Sequence, residues 1–178
     1  MLWKIFLIFF EGKDLIDELA CTQYFHKHPN NRRIHILAFL TLSCVLQVII
    51  NYYLSINYCI GFICLVFFSY MTFNKYAAIG YLPIMLLTLY YISYLTTLWS
   101  IYYYFIIAVS CLIMQVLAHI AFEKALPANR YFEFFVTAPV VVMLMSLNNI
   151  FGVDEELVEK IREESNKWKD CALENKIN

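Results

Sequence analysis

The stretch YFHKHPNNRRIH, residues 24–35, runs without a break into ILAFLTLSCVLQVII, residues 36–50. The first part is polar and holds three of the four histidines in the chain. The second is the start of an apolar run long enough to enter a bilayer. The surroundings agree with that solvent. Of 178 residues, 62% are hydrophobic and 15% charged, and the mean hydropathy is +0.63. These values lie outside the range of ordinary soluble domains. The reading is an all-α integral membrane helical bundle. A net charge of -1 points to neither nucleic acid nor an acidic partner.

Four segments reach the roughly 17–25 residues that cover a hydrocarbon core, near 34–56, 57–73, 76–98 and 99–122. The connections Asn51–Asn57 and Thr96–Ser100 carry no charge, whereas the opposite ends hold Lys27, Arg32, Arg33, Lys75, Lys124 and Arg130. The positive-inside rule therefore places the charged ends in the cytoplasm. Tyr52, Tyr53, Tyr58, Tyr91, Tyr94, Trp99, Tyr102 and Tyr103 gather at the uncharged turns, as an interfacial aromatic belt. Six cysteines form no C-x-x-C pair, and four of them lie inside apolar runs, so they read as reduced and structural.

The flanks read as amphipathic. Leu2–Phe10 is short, contains Lys4 and is followed by charge where a signal cleavage site belongs, so it is expected to be retained in the interface. Residues 14–25 read as an interfacial helix with Leu15, Ile16, Leu19 and Tyr24 toward the membrane. Residues 131–151 are apolar, but Glu133 and Pro139 favour a fifth, re-entrant or interfacial hairpin over a span. Val153–Cys171 reads as a charged amphipathic helix on the membrane surface, with Val153, Leu157, Ile161 and Trp168 on one face. The expected division is a membrane-embedded catalytic domain over 1–152 and a tail over 153–178.

Two hairpins separate the polar stretch from Gln115-x3-His119-x3-Glu123, so an even number of crossings returns His119 to the depth of His35. Pro29 with Asn30 or Asn31 suits a helix start. His26 precedes His35 by nine residues, half a turn out of phase in an unbroken helix, so convergence of the two rings requires a break at Pro29. Gln115, His119 and Glu123 share one α-helical face. Neutral imidazoles with a carboxylate suit Fe(II) and leave positions open. Glu123 has an alternative use as an ion-pair partner of Lys124 or Arg130, and the basic cluster one as a topology signal.

The patterns His26-x2-Pro29-x-Asn31-x3-His35 and Gln115-x3-His119-x2-Phe122-Glu123-x3-Pro127-Ala128, in this order with the spans between them, resemble the signature of a known family over residues 14–152. It is the small membrane family acting in the metabolism of phytosphingosine to odd-numbered fatty acids. The resemblance implies an Fe(II)-dependent dioxygenase of the endoplasmic reticulum that shortens a 2-hydroxy fatty acid by one carbon with O2 and without 2-oxoglutarate. A bacterial host would place it in the inner membrane.

By that resemblance His26, His35 and His119 are metal ligands, and Glu123 is a fourth ligand or a base behind them. Gln115 and Asn31 join Glu123 in catalysis, and Lys27, Arg32, Arg33 or Lys124 receives the substrate carboxylate. His28 stands where members often have Asn and takes a supporting role. Ala38 replaces an expected Gly, and the tail beyond Gly152 is long and charged. Two rival classes are a non-catalytic membrane scaffold or small lipid transporter, and another iron-dependent lipid hydroxylase. A di-iron version of the latter is disfavoured, because four histidines cannot fill two such sites.

Overall fold

Asp14 opens the first helix by accepting the Asp17 amide at 2.9 Å. The computed structural model describes residues 14–124 and 136–174, with side chains as far as Lys167. Among these residues the chain is helical throughout: α1 Leu15–Tyr24, α2 Pro29–Tyr53, α3 Ile56–Phe73, α4 Lys75–Tyr90, α5 Ile92–Leu98, α6 Ile101–Ala118, a π-helical turn His119–Glu123, α7 Ala138–Phe151 and α8 Glu155–Glu174. Leu2–Phe10, Arg130, Glu133, the Pro127-Ala128 end of the second motif and the side chains of Trp168 and Cys171 lie outside the described residues.

Three helices are long and apolar enough to cross a membrane: α2, α3 and α6 with its π turn. The pair α4 and α5 passes the same test together but is bent by 67°, so the count is three, or four with the bent pair as one span. The expected straight third segment over 76–98 is thus corrected to a broken one. Tyr91 departs from helical geometry at φ -92, ψ 6. Its amide turns back to the Leu87 and Leu89 carbonyls. Beyond the bend Ile92 packs with Val45, Val48, Ile101 and Tyr104 over the far end of α2 and α6, and that burial holds the bend.

α2 is the central element, packed against α3, α4, α5, α6 and α7. The outer faces of α3 and α6 remain apolar and exposed, with Leu65, Phe68, Ile106, Val109 and Ile113 among them. Such surface is stable only against lipid, so the fold fits an integral membrane protein. The tyrosines predicted as a belt are exposed at the α2–α3 and α4–α6 ends. Every basic residue expected at the opposite side and described here stands at the end where the histidines are. Cys21, Cys44, Cys59, Cys64 and Cys111 are free thiols, as expected.

α7 covers the described part of the 131–151 stretch, in which a hairpin is expected in preference to a span. Pro139 sits in the first turn of α7, directly after the π-helical residues Val136 and Thr137. The helix has 14 residues, short of the roughly 20 a span needs. Val140, Val141, Val142 and Leu144 have no exposure at all. Gly80 lets α4 approach this helix, since a Cβ there would stand 2.9 Å from the Met143 sulfur.

The two amphipathic helices α1 and α8 also meet each other, a contact the sequence reading does not anticipate. α1 buries Leu19, Ala20, Cys21 and Thr22 against α7 and α8. In α8 the inward stripe is Val158, Ile161 and Ser165, with Val153 and Leu157 only half-buried. Two amphipathic faces of this kind satisfy each other more completely than either would a lipid surface.

Asn74 ties the two halves together at the end of the bundle where the histidines lie. Its Oδ1 caps α4 by accepting the Tyr76 and Ala77 amides at 2.9 and 3.1 Å, and its Nδ2 donates to Asp154 at 2.7 Å. Asn74→Ala removes all three bonds. The expected loss is about 1–2 kcal/mol, read as a melting temperature lower by about 2–6 °C, with metal content unchanged. An unaltered melting temperature would show that this connection carries no stability.

Candidate metal centre

The histidine loop is shaped by where helices stop and start. α1 ends at Tyr24, and the His26 amide closes it by donating to the Gln23 carbonyl at 3.0 Å. His28 starts α2 as its cap, with Nδ1 accepting the Asn30 amide at 3.2 Å and Pro29 in the first turn. The cap is His28, not Asn30 or Asn31 as expected, since the ring nitrogen reaches the amide two residues on. The break falls where the histidine spacing requires it, and His26 folds back over the start of α2.

His26, His35 and His119 meet there. Ring centroids stand 4.7 Å apart for His26–His35, 4.7 Å for His26–His119 and 4.8 Å for His35–His119. One ligand atom from each lies within 4.8 Å of the other two. The three are 3%, 2% and 3% exposed, so the cluster is shielded from bulk solvent.

The hydrogen bonds fix which nitrogen faces the centre. His26 Nδ1 lies 2.7 Å from the Thr22 carbonyl and His35 Nδ1 3.0 Å from the Asn31 carbonyl. A carbonyl only accepts, so each Nδ1 carries the proton and each Nε2 keeps its lone pair. His119 is held by a bond to the Phe25 backbone and approaches Asn31 Nδ2 at 3.5 Å through Nδ1. Backbone carbonyls behind metal-binding imidazoles are the usual orienting device. Burial, then the neighbouring His35 and His119, pulls the His26 imidazole well below its ordinary pKa, so it is neutral at pH 7 and available to a cation. Its Nε2 is buried without a hydrogen-bond partner. A metal ion satisfies all of this; an apolar occupant leaves the orphaned nitrogen unexplained.

Asn31 is the hub of the support. It is fully buried, its carbonyl holds His35, and its Nδ2 reaches the Phe25 carbonyl at 3.3 Å and Glu123 Oε1 at 3.2 Å. Glu123 stands behind the ring cluster, where the same Oε1 accepts the His28 amide at 2.7 Å. The group of converging ligand atoms contains the three histidines and not Glu123. The π turn accounts for this, because its wider winding takes Glu123 off the α-helical face expected from the spacing with Gln115 and His119.

Gln115, one turn before His119 on α6, is 2% exposed with both side-chain polar atoms unpartnered. Asn31 Oδ1 is a further buried acceptor without a partner. Orphans of this kind flanking three imidazoles mark a place where a bound polar group belongs.

The expected carboxylate receivers are spread apart. Arg32 Nη1 donates to the His26 and Lys27 carbonyls at 3.2 and 3.0 Å, bracing the loop. Lys27 lies over the Tyr24 ring at 4.7 Å, Arg33 bonds Asn30 at 3.3 Å, and Lys124 is exposed in a left-handed conformation that ends the π turn. Sequence reasoning missed the parts played by Thr22 and Phe25, which act through backbone carbonyls, and by Phe122, which stacks on His28 at 4.9 Å. The four-residue step from Thr22 to His26 was the available signal for the first of these.

Fold and site together define a class: an all-helical, membrane-type bundle with a buried three-histidine group that can hold a metal ion. No family profile, curated protein or solved structure matches the chain.

Proposed function

We propose that this protein is an Fe(II)-dependent dioxygenase that shortens 2-hydroxy fatty acids by one carbon. The carrying observation is the convergence of His26, His35 and His119, with the tautomers of His26 and His35 set for a cation. Three imidazoles leave coordination positions open, as an oxygen-using iron site requires. In this proposal α4 and α5 form a fourth span, the 131–151 region re-enters from the histidine side, and that side is cytoplasmic. The membrane is the endoplasmic reticulum in a eukaryote and the inner membrane in a bacterium.

Iron in this site supplies redox activation of O2 for cleavage between the first two carbons of the substrate. The remaining work belongs to the chain. The Thr22, Asn31 and Phe25 carbonyls hold the three rings in place. Asn31 and Glu123 keep the His28 loop against the π turn, and burial excludes water. Gln115 offers an amide donor and acceptor to the polar head of the substrate. Lys27, Arg33 and Lys124 draw the carboxylate to the mouth at headgroup level, while Arg32 braces the loop. One O2 balances conversion of the 2-hydroxy acid to the shortened acid, carbon dioxide and water, so no further oxidant is needed.

The test is metal analysis of the purified protein followed by 2-hydroxy fatty acid consumption under O2. Stoichiometric iron and an acid one carbon shorter are expected. Protein without stoichiometric metal would favour the scaffold or transporter reading. Iron with a hydroxylated product of unchanged length would favour a different lipid hydroxylase.

A further inference from the structure

A cavity of about 210 Å³ lies between α2 and α3, closed by the start of α7. Phe39, Ser43 and Leu46 form one wall, Val66 and Ser69 the other, and Pro139 the roof. Its lining is apolar apart from the hydroxyls of Ser43, Ser69 and Tyr70, and Leu65, which also borders it, is 68% exposed on the outer face of α3. The groove therefore opens toward the lipid side.

Its inner end approaches the histidine group along two lines. Phe39 packs its ring 5.7 Å from that of His35. On the roof, Thr137 lies between the lining residues Val136 and Pro139 and places its hydroxyl 3.1 Å from that of Thr22, whose carbonyl holds His26. His35 is thus one contact away from an apolar channel, and His26 is reached from the roof through Thr137 and Thr22.

We propose that this groove binds the hydrocarbon chain of a free 2-hydroxy fatty acid whose polar head reaches the three histidines; the inference rests on the function proposed above. The lined length from Phe39 to Leu46 is seven residues of helix, about 10 Å, so it grips the first part of the chain and leaves the rest to the bilayer. Ser43 and Ser69 keep the groove open because they are small. A cavity of about 210 Å³ holds part of one unbranched chain and has no room for the paired tails of a phospholipid.

The experiment uses the full-length protein in phosphatidylcholine nanodiscs with 2-hydroxyhexadecanoic acid carrying a mid-chain diazirine, followed by irradiation and peptide mapping. Labelling is expected on the α2 and α3 walls. It should fall at least tenfold in Ser69→Phe, or in Ser69→Leu if the larger residue prevents folding, with iron content unchanged. Unlabelled 2-hydroxyhexadecanoic acid should compete, and additional phosphatidylcholine should not. Labelling spread evenly over the outer faces, labelling unchanged in the filled groove, or equal competition by phosphatidylcholine overturns the proposal. Labelling needs no turnover. Focused labelling in a protein without iron or turnover therefore counts against the dioxygenase alone, and iron and turnover with unfocused labelling count against the groove alone.

Discussion

His35→Ala and His119→Ala are each expected to reduce bound iron to background and to abolish turnover, with helical content preserved. Each ring supplies one of the three converging ligands found among the described residues, and two imidazoles hold a divalent ion far more weakly than three. The fold should survive, because the removed rings belong to the polar group and not to the buried apolar clusters around Leu144 and Val48. Circular dichroism checks the fold, and metal analysis with product detection checks the site. A variant that retained both iron and turnover would remove that histidine from the site.

Asn31 and Glu123 give the second large effect, and comparing them separates a ligand from a positioning residue. Asn31→Ala removes the amide that meets His119, Glu123 and the Phe25 carbonyl. Loss of such an orienting partner costs about 10–100-fold in metal affinity. Glu123→Gln keeps an oxygen able to accept from the His28 amide and Asn31, so iron affinity should stay within about threefold of the parent, a shift of about 0.7 kcal/mol at most. If Glu123 is instead a direct ligand, Glu123→Gln should lose iron at least as severely as Asn31→Ala. Titration with Fe(II) under anaerobic conditions distinguishes the two outcomes.

Much of the architecture was legible in the chain. Apolar runs of bilayer length, charges confined to one set of ends and tyrosines at the other made an all-helical membrane bundle the only economical reading, since lipid offers backbone groups no other partners. Counting crossings placed His119 level with His35, and the step of nine residues between His26 and His35 demanded a break that Pro29 provides.

What stayed hidden depends on contacts between distant segments. The bend at Tyr91 follows from Ile92 packing over α2 and α6. α1 and α8 pair because each carries an apolar face, and hydropathy does not say whether such a face meets lipid or another helix. Pro139 reads as a breaker within 131–151 and acts as a helix start, a difference of register that local propensity does not resolve.

The sequence by itself determined the apolar solvent, the helical class, the end of the bundle that carries charge and the common depth of the two histidine motifs, because these follow from composition, periodicity and the parity of crossings. Only the tertiary structure decided that the three rings converge, that Thr22 and Asn31 set the tautomers of His26 and His35 through backbone carbonyls, and that Glu123 turns to the His28 amide. The physical reason is that hydrogen bonds and a π-helical turn act over a few ångströms between residues as far apart as 28 and 123, and such distances are not encoded in the spacing of either motif.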